Sequence, residues 1–368
     1  MSFTRSSCFL PGYLLERMVG ADPAVAQAVR TTLADQARLR QRRELRATRW
    51  GGGRPPVPGL ELPAVQEPTE PEAPTPDRSV HDAQGGTSLP GLLARAESGP
   101  PAGDESVDET FDGLGHTWEL FHAAYGRDSL DDQGMQLVAT VRYGNDYDNA
   151  FWDGVQMVLG DGDGVYIRSF TDSIDVIAHE LGHGVVQFTA GLIYVGQAGA
   201  LNESVCDVFG SLVRQRVRDE TTEQADWLIG AGLFTDRVDG VALRSLAAPG
   251  TAYDDPVLGR DPQPGHLDDY VHLPHDAAND NGGVHINSGI PNRAFHLAAT
   301  ALGGKSWERA GQVWYDVVST PGMIPKDVDF AGFAQATLTA ASDRYGPDGE
   351  EVRAIREAWE GVGVLDAP

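Results

Sequence analysis

The stretch Ser173-Ile-Asp-Val-Ile-Ala-His179-Glu180-Leu-Gly-His183-Gly-Val-Val186 decides how the rest of the chain is read. Apolar residues recur at Ile174, Ile177, Ala178, Leu181, Val185 and Phe188, which is helical spacing. Asp172 or Ser173 can cap the start, and Gly191 stands where the helix would stop. His179 and His183 are four residues apart, so both imidazoles leave one face, one turn apart. That spacing lets two neutral ring nitrogens share one zinc ion. Glu180 stands beside them, placed to take a proton from an attacking water. Without further partners the same stretch would be a helix with two surface histidines.

Those partners lie downstream. Residues 200–213 read as a helix with Glu203 and Asp207 four apart on one face. Two histidines and one carboxylate leave a fourth position open, the arrangement of a catalytic zinc. Asp207 would accept a hydrogen bond from a ligand imidazole and fix its orientation. The other common zinc pattern needs a third histidine six residues after His183; that position is Thr189.

Composition sets the frame. A chain of 368 residues suggests two or three domains, and 41% hydrophobic residues suffice for a sizeable core. A net charge of -26 excludes nucleic acid and anionic membrane surfaces as natural partners. Two cysteines exclude a disulfide framework, and no apolar run approaches a membrane span. The first residues lack the apolar segment of a classical secretion signal, so either export by a non-classical route or a cytoplasmic role is expected.

Residues 1–49 hold nine Arg against four acids. They read as a short apolar helix near residues 9–19, then a second helix opening at Asp22-Pro23. The second helix runs through Val25, Val29, Leu33, Leu39 and Leu45 and carries Arg30, Arg38, Arg40, Arg42, Arg43, Arg46 and Arg49. That Arg face is either solvated or docked on the acidic remainder of the chain. Residues 50–78, rich in Pro and Gly, read as a linker with a processing site. Two catalytic lobes follow, 79–190 and 191–368. Residues 135–143 and 155–159 read as strands and 109–125 as a helix, with further helices near 201–218, 223–233, 287–302, 306–318, 329–344 and 349–361. Gly160-Asp-Gly-Asp-Gly164 is a calcium loop or, more commonly, a tight turn. A β-rich lobe joined to a helical lobe by the central helix is an α+β fold with its site in the cleft between them.

With these motifs assembled, the chain resembles the thermolysin family of zinc metalloendopeptidases. The resemblance rests on His179-Glu-Leu-Gly-His183, on Gly199-Ala-Leu-Asn-Glu203-Ser-Val-Cys-Asp207, and on Asp280-Asn-Gly-Gly-Val-His285-Ile-Asn-Ser-Gly289. Nineteen residues separate His183 from Glu203, the family's spacing, and Tyr143-Gly-Asn-Asp-Tyr-Asp-Asn149-Ala-Phe-Trp152 resembles its substrate-binding edge strand. The resemblance implies a two-domain zincin with one catalytic zinc on His179, His183 and Glu203. It makes Glu180 the general base and Asp207 the support of a ligand histidine. It implies that Tyr194 and His285 stabilise the oxyanion, with Asp280 holding His285. Arg244 would grip a substrate carbonyl, and Asn149 and Ala150 would pair with the peptide backbone. Val176, Ile229, Leu233 and Leu243 would line an apolar pocket that favours Leu, Phe or Ile after the scissile bond. A peptide or protein substrate and the chain's own N-terminal segment are the implied partners of a monomeric enzyme.

Two departures matter. Asp175 and Asp226 match the family's paired calcium cluster, but Arg214, Leu228, Ala231 and Gly232 stand where other acids would be. The paired site is therefore expected to be lost, with a single ion left open. The start, Cys8-Phe-Leu-Pro-Gly-Tyr-Leu-Leu-Glu16, resembles the short propeptide of the protealysin-like subgroup, with Gly12 replacing a proline. Cys8 is then a candidate inhibitory zinc ligand, a buried packing residue, or a partner for Cys206. A zinc-binding pseudoenzyme and a dedicated cytoplasmic processing peptidase are the competing functional readings; every catalytic position being filled speaks against the first.

Overall fold

The computed structural model describes residues 8–367 apart from residue 24 and residues 51–72, and describes side chains of the second helix only to residue 38. The expected processing site, and the side chains of Leu39, Leu45, Arg40, Arg42, Arg43, Arg46 and Arg49, lie outside the described residues.

The N-terminal lobe is built on a five-stranded sheet in the order β2-β1-β3-β5-β4. The strands are β1 (Arg78–Asp82), β2 (Leu92–Ala96), β3 (Leu137–Val141), β4 (Ala150–Trp152) and β5 (Met157–Leu159). β1, β3 and β5 run parallel, while β2 and β4 flank them antiparallel and leave β4 as a free edge. β3, β4 and β5 are buried throughout, so they show no polar alternation. The two N-terminal helices are α1 (Gly12–Ala21) and α2 (Ala26–Trp50). Behind the sheet lies α3 (Glu105–Tyr125), started by the Asp104 carboxylate accepting from Val107 N–H and stopped by left-handed Gly126.

The central helix α4 (Ile174–Phe188) leads into α5 (Gly196–Val217). Ser173 is the cap position of α4, though its hydroxyl makes no capping bond. At the other end Thr189 Oγ1 donates to Val185 O over 2.7 Å, and left-handed Gly191 donates to Val186 O over 2.8 Å. α4 and α5 cross at Gly182, where a Cβ would stand only 3.2 Å from Cys206 Cα and Sγ. This close approach brings the carboxylates of α5 under the histidines of α4. The helical lobe continues through α6 (Asp280–Asn287), α7 (Gly289–Leu302), α8 (Ala310–Ser319), α9 (Phe330–Tyr345) and α10 (Glu350–Gly361). Trp314 and Trp359 stack with centroids 6.0 Å apart, and Phe295 and Phe333 meet Trp314 edge-on.

The two-lobe α+β architecture is as expected, with local corrections. Residues 223–233 are not a helix. Trp227, Gly230 and Gly232 take left-handed backbone, and Leu228–Ile229 pair as a short strand with Arg244–Ser245. β1 and β2 have no counterpart in the sequence reading. The Asp22 carboxylate accepts from the Tyr166 hydroxyl over 3.0 Å, and α2 begins only at Ala26. Among the described arginines of α2, Arg30 is exposed and Arg38 pairs with Asp35 on its own helix, so neither docks on the acidic lobes. The face of α2 that is buried carries Val29, Thr32 and Gln36 instead. In the Gly160–Gly164 run, Asp163 Oδ1 accepts from the N–H groups of Val165, Tyr166 and Ile167, which is turn chemistry.

Arg214 stands among the residues that the resemblance matches to the family's calcium cluster. Its guanidinium donates to both Asp226 oxygens (3.0 and 2.7 Å) and to Leu228 O (3.0 Å), and lies 3.7 Å from buried Asp175. A fixed cation there ties α4, α5 and the 226–230 loop together. Arg214→Met should strand the Asp175 charge and cost about 3 kcal/mol, read as a lower melting temperature. A calcium-selective chelator, with zinc kept saturated, should leave the wild-type melting temperature unchanged; a large drop would contradict this assignment.

Candidate metal and substrate site

α4 and α5 bring together the donors that the sequence singles out. Donor atoms of His179, Glu180 and His183 all lie within 4.8 Å of one another. Glu203 Oε2 is 3.4 Å from His179 Nε2, and its Oε1 is 3.4 Å from His183 Nε2. These separations are long for hydrogen bonds. They match the edges, roughly 3.4 Å, of a tetrahedral shell with bonds of about 2.0–2.1 Å. The residues present therefore fit a zinc ion.

The far ring nitrogens are fixed. His179 Nδ1 lies 2.9 Å from Asp207 Oδ1, and His183 Nδ1 donates to Asn202 Oδ1 over 2.9 Å. Asn202 Nδ2 in turn donates to Leu192 O over 3.2 Å. Both Nε2 lone pairs are thereby aimed at the shared centre. Asn202 was not singled out from the sequence, although it sits immediately before Glu203 as an amide in a buried helix. Burial lowers His183 to about 3, so it stays neutral. Burial opposes charge on His179, but Asp207 and Glu203 outweigh it and draw the ring up to about 9; a metal ion must displace that proton. Burial would raise Glu203, yet His285, His183 and His179 hold it well below the carboxylate range.

His285 faces the same centre. Its support begins with four consecutive left-handed residues, Asp280, Asn281, Gly282 and Gly283, with φ of 51°, 51°, 93° and 75°. Only glycine takes this backbone without strain, and Asn and Asp tolerate it best among the rest. The turn points both Asp280 oxygens forward: Oδ2 accepts from His285 N–H (2.9 Å) and Oδ1 from Nδ1 (2.6 Å). Burial pulls His285 down, but Asp280 and Glu203 raise it to about 9, so the ring is an imidazolium at neutral pH. The Tyr194 hydroxyl donates to Glu203 and lies 3.2 Å from His285 Nε2.

The chain's own N-terminal segment lies in this cleft. Phe9 N–H donates to Ala150 O over 3.0 Å, adding a short extended segment to the β4 edge. Leu10 N–H donates to Asn149 Oδ1 (2.8 Å), and Asn149 Nδ2 donates back to Leu10 O (2.9 Å). Arg244 Nη1 donates to Phe9 O (3.3 Å), and His285 Nε2 donates to Cys8 O (2.8 Å). The Phe9 ring meets His179 edge-on at 5.2 Å and Phe170 at 6.4 Å, under the Arg244 guanidinium at 4.6 Å. Val176, Ile229, Leu233 and Leu243 are buried in the same apolar cluster as Phe9. Asn149, Ala150 and Arg244 thus meet this segment directly, and Gly230 lies between the Phe9 ring and Leu243. The Cys8 side chain packs with Tyr143, Tyr147, Phe151 and Val158. Cys8 and Cys206 do not form a disulfide with each other. Beyond Cys8 the cleft widens into a cavity of about 570 Å³ that reaches Tyr194, Asp280 and His285.

Residues 96–187 match the thermolysin metallopeptidase catalytic domain, and residues 190–364 match the thermolysin metallopeptidase alpha-helical domain. The chain belongs to the thermolysin metallopeptidases. It is a zinc metalloendopeptidase made as a zymogen with a short propeptide. It is 51% identical over 309 residues to an extracellular metalloprotease of Pectobacterium carotovorum subsp. carotovorum, covering 84% of each chain. Identity to protease PrtS of Photorhabdus sp. (strain Az29) is 48% over 287 residues, covering 78% of this chain and 76% of that one. The solved precursor of protealysin, a metalloproteinase from Serratia proteamaculans, superposes with a TM-score of 0.84 at 43% identity, covering 98% of this chain and 100% of that one. Histidines that hold a metal depend on the partners of their far ring nitrogens. Asn202→Ala should therefore weaken zinc binding by about 10–100-fold, measured by competition with a chromogenic chelator.

Proposed function

We propose that this metallopeptidase hydrolyses peptides with an apolar residue directly after the scissile bond, and that the inhibitory module, residues 1–49, holds it silent through Cys8, Phe9 and Leu10, which lie in the cleft as a substrate would. The observation that carries the proposal is the set of backbone contacts from Cys8 O to Leu10 O. His179, His183 and Glu203 would hold the zinc. Zinc bound there would polarise the peptide carbonyl and lower the pKa of a coordinated water to about 7. Glu180 takes the proton of the attacking water and passes it to the leaving nitrogen. His285 and Tyr194 donate to the carbonyl oxygen as it gains charge, where water is excluded and such bonds are strongest. Asn149, Ala150 and Arg244 fix the backbone beyond the scissile bond, and the pocket beneath Arg244 takes the apolar side chain.

Three finer readings go with this one. Arg214 supports a structure that needs no calcium at the former paired site. The extracellular names of the relatives support action outside the cell, and no described helix is long and apolar enough to cross a membrane. A monomer suffices, since one chain supplies every residue used here.

Glu180→Ala should keep its zinc and lose activity by at least about 10²-fold, whereas His183→Ala should lose both. Activity in Glu180→Ala equal to wild type would sink the mechanism.

For the block itself, chains with an uncleavable linker separate backbone from thiol. Phe9→Asp should place a charge in the apolar pocket and release activity, while Cys8→Ser should stay as silent as the parent. A Cys8→Ser chain as active as trimmed enzyme would instead make the thiol the inhibitory group.

A further inference from the structure

Thr32 and Gln36, one turn apart on α2, are both buried, and Asp148 N–H donates to Thr32 Oγ1 over 3.2 Å. Beneath this contact the Asp148 side chain is 0% exposed, and neither carboxylate oxygen has a hydrogen-bond partner among the described residues. Asp163 N–H approaches without completing a bond. Gln36 Nε2 is likewise buried and unpartnered.

The described charges around Asp148 are all of one sign. From the 160–164 turn comes Asp163, whose Oδ1 is engaged by three backbone N–H groups and whose Oδ2 is buried without a partner among the described residues. From its own loop comes Asp146. Among the described side chains of α2, Arg38 spends its guanidinium on Asp35 at 3.1 Å, and Arg30 is exposed. Among the described residues no cation acts on the Asp148 carboxyl. Burial first, then Asp163 and Asp146, push that carboxyl up to about 8.

We propose that Asp148 makes seating of the N-terminal module proton-dependent: the module docks over a neutral Asp148, and ionisation of that carboxyl drives it off. The inference rests on the reading that this module is the inhibitor, and adds the condition under which it lets go. Lifting α2 admits water to Asp148, whose carboxyl then returns toward the ordinary range, so docking takes up a proton. With the docked value the higher one, docking is strongest in acid. It weakens by up to tenfold per pH unit as pH rises toward about 8, and then levels off. Asp148 lies outside the catalytic machinery, immediately before the Asn149 that clasps Leu10, so the lever is applied at the edge of the groove.

The test uses the full chain carrying Glu180→Gln, which keeps the linker uncut. Cys8 is buried only while the module is seated, so its rate of alkylation by iodoacetamide, read by mass spectrometry of its peptide, reports undocking. Asp148→Asn in the same background supplies the reference: it keeps the shape and cannot ionise. The ratio of wild-type to Asp148→Asn rates cancels the ionisation of the thiol and of His285. It should climb by at least tenfold between about pH 6 and about pH 8. A ratio that stays constant across that range overturns the proposal. Should the variant fail to fold, the wild-type rate divided by that of a synthetic peptide of residues 5–14 must still climb; a flat quotient below one overturns the proposal. Labelling at the free-peptide rate at every pH would show that the module does not seat at all, which overturns the inhibition reading and this inference with it.

Discussion

A single buried carboxylate binds the site together. Asp207 is wholly inaccessible, yet it accepts from Arg244 at 2.8 and 2.9 Å and from Asn292 Nδ2 at 2.8 Å, and lies 2.9 Å from His179 Nδ1. Burial alone would neutralise it; Arg244 and His179 keep it ionised. Removing Arg244 would leave an unpaired charge in the core, a cost of about 3–5 kcal/mol. Through this one group the orientation of a metal ligand, the grip on the peptide carbonyl and the seating of α7 depend on one another. A substrate that pulls on Arg244 is therefore mechanically in touch with His179.

The second constraint is backbone strain kept where it is useful. The left-handed run from Asp280 to Gly283 has two non-glycine members, each costing roughly 1 kcal/mol or more in isolation. The return is a carboxylate that grips one imidazole at both its ring nitrogen and its own backbone N–H. An ordinary helical start would leave Asp280 on the wrong side of His285. The Asp280 pairing in turn keeps His285 charged, and a charged donor is what a developing oxyanion needs.

The metal helix could be read from the chain because its residues are four apart on one periodic element, and Glu203 followed from its fixed distance downstream. The edge strand could be read because its motif, from Tyr143 to Trp152, is long. What escaped had no such periodicity. Asn202 differs from a packing amide only in what lies across the helix crossing. β1 and β2 mix charged and apolar residues, and β2 keeps Leu92 and Leu93 exposed, so neither alternates cleanly. Residues 223–233 have apolar spacing compatible with a helix, and only the left-handed backbone at Trp227, Gly230 and Gly232 prevents one. Asp148 looks like any loop acid in sequence; its burial under α2 is a property of the folded whole. The Cys8 thiol invited a ligand role by its chemistry, whereas the backbone carbonyl beside it is the group that meets His285.

The seating of the N-terminal segment carries a last implication. The segment is held from Cys8 to Leu10 through its backbone N–H and C=O groups, which any other peptide also carries. Its advantage is proximity: a covalent tether gives it a local concentration on the order of millimolar. Once the tether is cut, the released segment falls to the bulk concentration of the enzyme itself. Dilution then becomes the activating event. Where the protein is crowded into a small volume the severed segment rebinds, and where it disperses the cleft empties, so one molecule is restrained at its source and unrestrained at a distance from it.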